Sequence, residues 1–426
     1  MTDSIIPAET PSGSCDKMRV IDRAARRLLL GLLSRISRGK ILLKEEDQHF
    51  RFGTRTDEFP LEAEVTVHHP RFYTRSVLGG SVGSAEAYIN GYWTTDDLTT
   101  LIRILILNRN VFDQMEKGLA RLAAPVNKLF HFLNKNTRRG SRENILVHYD
   151  LGNDFYKLFL DETLTYSCGI FESEHSSLKE ASIAKYDRIC RKLRLGRGDR
   201  VLEIGTGWGG FAIHAASHYD CRITTTTISN NQHRFAAECF SAAGVSDKIT
   251  LLQQDYRDLT GQYDKLVSIE MIEAVGHHYL DDFFQVCSER LTPDGMFLLQ
   301  AITIRDQVFE QHKRSVDFIK RFIFPGSCIP SIAAISDSIA RATDFKLVHL
   351  EDITAHYART LREWRRRFFT HIDQVRALGF PESFIRMWEY YLCYCEGGFA
   401  ERYIGDVQAL FAKPLSRTDP LLGDLL

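Results

Sequence analysis

The stretch Val201–Gly210, VLEIGTGWGG, constrains this chain more than any other. Val201 to Ile204 read as a short buried strand with an acid, Glu203, near its end. Glycines at 205, 207, 209 and 210 let the backbone turn sharply where a Cβ would clash. Phe211 to Ser217, FAIHAAS, then resumes as a helix. Strand, glycine loop and helix N-terminus in that order make a cofactor cradle at the carboxyl edge of a parallel sheet.

The surroundings keep that rhythm. A helix over 177–195 precedes the cradle. After it, 221–228 (CRITTTTI), 249–253, 263–270 (YDKLVSIE) and 295–302 (GMFLLQAI) read as strands, with helices over 231–242 and 280–290 between them. Val348 to Asp352 add a late strand. This alternation predicts an α/β fold with a doubly wound, mostly parallel, Rossmann-like sheet. Residues 306–340 and 354–403 read as largely helical, in the place of a lid.

Upstream lies a smaller α+β domain, predicted over 17–135. It holds strand-like pieces within 41–75, glycine turns with a short helix around Tyr88, and an apolar helix over 96–115. Residues 1–16 read as a disordered lead-in, 117–145 as a helix running into a polar linker (136–147), and 148–426 as the catalytic domain. Within 17–38, Ile21, Ala25, Leu28, Leu32 and Ile36 recur at helical spacing, flanked by Arg19, Arg23, Arg26, Arg27, Arg35 and Arg38. A basic amphipathic helix of this kind lies on an anionic bilayer or packs on its own domain with a solvated arginine face.

A formal net charge of -1 removes bulk electrostatics as a route to nucleic acid. Nine cysteines without paired spacing point to a reduced, cytoplasmic protein with neither disulfide framework nor zinc site. No apolar run approaches the ~18 residues of a membrane span, and the N-terminus lacks the layout of a secretory signal.

The cofactor follows from acid placement. A dinucleotide fold carries GxGxxG with an acid about 20 residues on. Here the second strand ends Thr226-Thr227-Ile228-Ser229, without one. Asp255, after the third strand, can instead contact an adenine amine. No GxxxxGK[ST] is present, which argues against nucleoside triphosphates. The arrangement resembles a class I S-adenosylmethionine methyltransferase.

The segments HYDLGNDFY, TYSCGIF, VLEIGTGWGGFA, TISNNQ, DYRDL, IEAVG, FLLQAIT, DFIKRFIFPGSCIPS and HYARTLREW occur in this order over roughly residues 145–412. Together they resemble the cyclopropane fatty acid synthase family, which includes the mycolic acid methyltransferases. The resemblance implies one-carbon transfer from S-adenosylmethionine to a cis double bond of an unsaturated membrane phospholipid, with bicarbonate as the base that removes the ring-closing proton. It also implies a peripheral enzyme on the inner face of the membrane, dimeric through its N-terminal domain.

Carried onto this chain, the resemblance puts Tyr166 and Ser167 near the methionine portion of the cofactor. It puts Glu203, Gly205, Gly207 and Gly209 at the loop, Thr227 and Gln232 by the ribose, and Asp255 and Tyr256 by the adenine. Cys168, Glu273 and Tyr357 match the positions that hold bicarbonate, and Cys395 matches a pocket-lining cysteine. Two departures stand out: the family commonly has histidine where this chain has Gln300 and Ala274. Glutamine donates a hydrogen bond but shuttles no proton at neutral pH. Loss of a proton from a neighbouring carbon would leave a methylene-branched chain instead of a ring, so the alternative product is a methylene- or, with a reductase partner, a methyl-branched chain. An N-methyltransferase and a lipid-surface protein with a dead cofactor site are the more distant readings. The N-terminal domain argues against the first, and the intact loop with Glu273 and Tyr357 against the second.

Overall fold

A computed structural model describes residues 18–112 and 151–419. The expected lead-in, the helix over 117–145 and the linker 136–147 lie outside the described residues. The chain divides into two compact units. The first takes residues up to Leu129 together with two later segments, Val316–Ile323 and Ile372–Glu401. Part of the helical region expected as a lid thus groups with the N-terminal unit. The second comprises Phe130–Ser315, Phe324–His371 and Arg402–Leu426.

In the first unit, helix α1 (Val20–Leu33) is followed by strands β1 (Gly39–Glu45), β2 (Gln48–Thr54) and β3 (Glu62–Val67). Helix α2 (Arg71–Ile89), strand β4 (Trp93–Thr95) and helix α3 (Leu98–Leu107) come next, and α12 (Ile372–Ala377) and α13 (Glu382–Ala400) much later in the chain. The sheet runs β2-β1-β3-β4, with β1 and β3 parallel. Where glycine turns and a short helix are expected, α2 runs nineteen residues and absorbs Gly80 at φ +57 as a kink. Asp97 caps α3 by accepting from the Thr100 N–H at 3.0 Å. A Cβ at Gly397 of α13 would meet Ile102 at 2.7 Å, so glycine is what lets α13 lie close on α3.

Helix α1 corrects the predicted apolar stripe. Ala25, Leu29, Leu32 and Leu33 are buried, as is Ile36 beyond the helix. Ile21 and Leu28, at the same helical spacing, face outward at 51% and 49% exposure. Three of the six arginines are also tied into the unit: Arg19 pairs with buried Asp22, Arg26 with Glu45 at 2.8 Å, and Arg38 donates to Leu107 O at 3.3 Å.

The second unit is the expected α/β layer. Its seven-stranded sheet runs β10-β11-β9-β8-β5-β6-β7. The strands are β5 (Arg200–Ile204), β6 (Arg222–Thr226), β7 (Ile249–Leu252), β8 (Tyr263–Ile269), β9 (Leu291–Ile304), β10 (Lys346–Asp352) and β11 (Ile404–Ala412). Six run in one direction; β11 enters antiparallel between β9 and β10. Its residues lie beyond every predicted strand.

Helices α4 (Asn153–Lys157), α5 (Leu178–Leu193), α6 (Gly210–His218) and α7 (Asn230–Ala242) precede β7, and α8 (Leu280–Glu289), α9 (Asp306–His312), α10 (Ile332–Ala342) and α11 (Thr354–Thr370) follow β8. Both sheet faces are covered. Ile189, Leu193, Phe211, Ala215 and Phe240 build one core, and Phe283, Phe284, Cys287, Ile335 and Ile339 the other. Each such fully buried side chain contributes roughly 1.5–3 kcal/mol. Ser177 opens α5 with a capping box, taking the Glu180 N–H while Glu180 takes that of Ser177.

A charged link ties α5 to the antiparallel strands. Lys192, fully buried, donates to Glu351 of β10 at 2.5 Å and to Gln408 of β11 at 2.8 Å. Arg188 grips the same carboxylate. Burial drives the Lys192 pKa down to about 8, whereas its two cations hold Glu351 down to about 2. Breaking such a pair strands a buried charge. We expect Glu351→Ala to cost about 3 kcal/mol in urea unfolding at pH 7. Because the Glu351 pKa is depressed, its contribution is complete above pH 4.5 and lost as pH falls towards 2. The gap between the parent and Glu351→Gln should therefore close over that window; a gap that is independent of pH would contradict this assignment.

Candidate functional site

The cradle forms at the carboxyl ends of β5, β6 and β7. Gly205, Gly207 and Gly209 all have positive φ, +105°, +53° and +95°. A Cβ at Gly209 would sit 2.6 Å from the Phe240 ring, whereas at Gly207 it would enter open space. The Gly205 and Thr206 N–H groups donate to Thr226 O at 3.1 and 3.0 Å, fastening the loop to β6. Glu203 is buried and accepts from Thr225 Oγ1 at 2.5 Å, and burial pushes its pKa up to about 8. It therefore braces the cradle from inside the sheet.

Thr227 Oγ1 donates to Gln232 Oε1 at 2.9 Å, with Ser229 capping α7 between them. The Asp255 carboxylate is held by the Arg257 guanidinium at 2.7 Å, and Tyr256 packs on Phe283. Tyr166 belongs to an aromatic wall. Its ring lies 5.5 Å from Tyr156 and 5.2 Å from Trp364, and Tyr156 lies 4.8 Å from Trp208 of the glycine loop. Ser167, next in sequence, accepts from Lys185 Nζ at 2.8 Å. Lys185 is fully buried, which lowers its pKa to about 8.

One strand over, at the end of β8, stands a residue that sequence reasoning passed over. Glu270 Oε1 accepts from the Cys168 N–H at 2.8 Å and from Gln300 Nε2 at 2.7 Å. Its Oε2 accepts from Tyr357 Oη at 2.5 Å. The Cys168 thiol turns away to Gly169 O at 3.2 Å, so Cys168 serves the site through its backbone. Gln300 Nε2 also reaches Asp406 Oδ2 at 3.2 Å, and Asp406 in turn hydrogen-bonds Glu270.

Glu273 lies on the turn that follows. Its Oε1 accepts from the Ile302 N–H at 2.5 Å, while among the described residues Oε2 is sealed from solvent without a partner. Burial, then the neighbouring Glu270, push the Glu273 pKa up to about 8. Burial, then the charges of Glu270 and Glu273, raise Asp406 far more. Burial raises Glu270 too, but Tyr357, the Cys168 N–H, Lys185 and Gln300 oppose it. Of the three carboxyls, Glu270 is the one best supplied with donors.

The geometry brings Cys168, Gln300 and Tyr357 together on Glu270, with Glu273, Asp406 and Lys185 near the same carboxylate. Ala274 follows Glu273 on the same turn. Cys395 lies on α13, in the first unit, where burial raises its pKa. A signal for Glu270 was present: an acid ending a parallel strand beside a glycine cradle, where ligands of such sheets collect. Asp406 needed β11 to be recognised first.

Residues 136–409 match the mycolic acid cyclopropane synthetase family. The chain is 36% identical over 354 residues to a tuberculostearic acid methyltransferase of Mycobacterium tuberculosis, covering 81% of this chain and 82% of that protein. It is also 36% identical over 357 residues to the cyclopropane-fatty-acyl-phospholipid synthase of Escherichia coli, covering 82% and 88%. A mycolic acid cyclopropane synthase crystallised with SAH and CTAB superposes with a TM-score of 0.60 at 33% identity, covering 64% of this chain and 98% of that one.

The raised Glu273 pKa has a consequence for stability. The folded chain holds a proton that the unfolded chain releases, so this contribution is complete below pH 4.5 and lost as pH rises through about 8. Glu273→Gln removes the titration. Its stability relative to the parent should rise by at least about 1 kcal/mol between pH 5 and pH 9 in urea unfolding. A constant difference across that range would show that Glu273 titrates normally.

Proposed function

The chain belongs to the mycolic acid cyclopropane synthetase family, and from that membership we propose that it converts a cis double bond of a phospholipid acyl chain into a cyclopropane ring, using S-adenosylmethionine. The observation that carries this reading is the cluster of buried carboxyls one strand from the cofactor cradle. Methylating an amine or hydroxyl removes a proton that solvent readily accepts. Methylating an alkene requires loss of a carbon-bound proton, and a positioned acceptor must take it.

S-adenosylmethionine fits the cradle: the space at Gly207 is open, the loop N–H groups lead into α6, and no acid at the end of β6 selects a dinucleotide ribose. When bound, it supplies an electrophilic methyl group on a sulfonium. Gly205, Gly207 and Gly209 would shape its seat, Thr227 and Gln232 would meet the ribose, and Tyr256 would line the adenine side. The aromatic wall of Tyr156, Phe159, Tyr166 and Trp364 offers π faces that favour positive charge and exclude water.

A second product is supported by particular observations. Gln300 cannot carry a proton, and a tuberculostearic acid methyltransferase is among the 36% identical relatives. A methyl- or methylene-branched chain is the corresponding outcome. Purified protein given methyl-labelled S-adenosylmethionine and vesicles of unsaturated phospholipid should yield a product heavier by one CH₂ with no remaining double bond. A surviving double bond would select the methylene-branched product, a gain of two further hydrogens would mark a methyl branch made with a separate reductase, and no labelled lipid at all would refute the reading.

The same reading puts the enzyme on the inner membrane face, as a homodimer through its first unit. No helix among the described residues is long and apolar enough to cross a membrane. On α1, however, Val20, Ile21 and Leu28 stand exposed beside Arg23 and Arg27. Apolar side chains among cations suit an anionic bilayer. Arg23→Gln with Arg27→Gln should weaken binding to anionic vesicles by about 2 kcal/mol at low salt, with less effect at high salt. Vesicle affinity unchanged by charge or salt would exclude this surface.

A further inference from the structure

The anion that the family resemblance implies, bicarbonate, does not fit the groups expected to hold it. Of the three residues matched to it, Cys168 and Tyr357 already spend their donors elsewhere, together with Gln300. The Cys168 N–H, Gln300 Nε2 and Tyr357 Oη converge on the two oxygens of Glu270 at 2.8, 2.7 and 2.5 Å. A second anion there would lie against the Glu270 carboxylate, and like charges at close range in a water-poor site disfavour one another.

The surroundings hold Glu270 in this pose against a local cost. Its φ is +47, a left-handed conformation that costs a non-glycine residue roughly 1–2 kcal/mol. Its own N–H is fixed to Gln300 O at 2.8 Å. Gln300 is in turn fixed from behind. Gln408 Nε2 donates to Gln300 Oε1 at 3.0 Å, and Lys192 Nζ donates to Gln408 Oε1 at 2.8 Å. An ammonium only donates, so Gln408 must turn its oxygen to Lys192 and its NH₂ to Gln300. Gln300 must then present its own NH₂ to Glu270. The chain Lys192–Gln408–Gln300 delivers a committed donor to a committed acceptor.

We propose that the Glu270 carboxylate occupies the place of bicarbonate and is the base that takes the ring-closing proton. This rests on the one-carbon transfer proposed above. The alkene π pair forms the new C–C bond as the methyl–sulfur bond breaks, its electrons going to sulfur. The neighbouring carbon is left cationic. A Glu270 oxygen then removes a proton from the new methyl group, and the freed C–H pair closes the ring. Glu270 becomes a neutral carboxyl and returns the proton to solvent when the site opens. The sum is a sulfonium and an alkene giving a thioether, a cyclopropane and one proton.

The test uses the full-length protein in buffer stripped of carbon dioxide, with and without added bicarbonate. Parent turnover should be unchanged by bicarbonate, and carbon-13 NMR with labelled bicarbonate should show no bound signal. Glu270→Ala opens the anion position. Its turnover should fall by roughly 10²–10⁴, recover in part with added bicarbonate, and be accompanied by a bound carbon-13 signal. Glu270→Gln fills the position without charge and should be equally slow but not rescued, which covers the case of an alanine variant that does not fold. A parent that needs bicarbonate or binds it, or a Glu270→Gln variant at parent turnover, overturns the proposal. A parent that transfers no label to lipid in any buffer refutes the function itself, while the NMR readout still tests the anion position.

Discussion

A single buried ammonium sets the polarity of everything that meets at the site. Lys192 has no exposed surface, and its partners are a carboxylate and an amide oxygen. Glutamine oxygen and nitrogen are interchangeable in shape, so neither Gln408 nor Gln300 would choose its orientation unaided. The ammonium chooses for both, because it accepts nothing. β9 and β11 are antiparallel with Gln300 directly opposite Gln408, which makes the relay short enough to be direct. The order passes from α5 through two strands to the Glu270 carboxylate by direct hydrogen bonds.

The second constraint is charge count. Glu270, Glu273 and Asp406 share a region into which, among the described residues, Lys185 brings the cation. Three ionised carboxyls cannot coexist there, since each like-charge pair costs several kcal/mol once water is withdrawn. Donors favour ionisation of the carboxyl that has most of them. Glu270 has an N–H, an amide and a phenol, whereas Glu273 has one N–H and an unpartnered oxygen. Hydrogen-bond supply, more than distance from Lys185, decides where the negative charge rests.

Much of the second unit was legible because its signals are local. The glycine loop, the β-branched strands and the helices between them report on their own backbone. β5, β6, β7 and β8 accordingly lie within a residue or two of their predicted ends. What was not legible depends on partners. The predicted stripe on α1 failed at Ile21 and Leu28 because periodicity marks an apolar face without saying how wide a neighbour covers it. Residues 404–412 alternate too little to announce a strand, since β11 is buried on both faces between β9 and β10. Missing β11 hid Asp406 and Gln408, and with them the reason for Gln300. Glu270 was visible as the last residue of a strand. Its meaning came only when Cys168 and Tyr357, expected to hold a separate anion, turned out to point at it beside Gln300.

Gln300 therefore changes from a defect into half of a pair. A histidine at that position offers a ring nitrogen that can accept or donate a proton, which suits a mobile anion whose own protonation must be managed. A glutamine does neither, yet it is the better neighbour for a fixed carboxylate: it donates without ever competing for the proton. With Glu270 built into the chain, the acceptor is held at the end of β8 by a backbone hydrogen bond and three side-on donors, and cannot follow the substrate. Ring or branch then depends on which carbon's hydrogen the bound acyl chain presents to that fixed oxygen. Product choice in this architecture is a matter of how the acyl chain is seated, with the strength of the base the same for both outcomes.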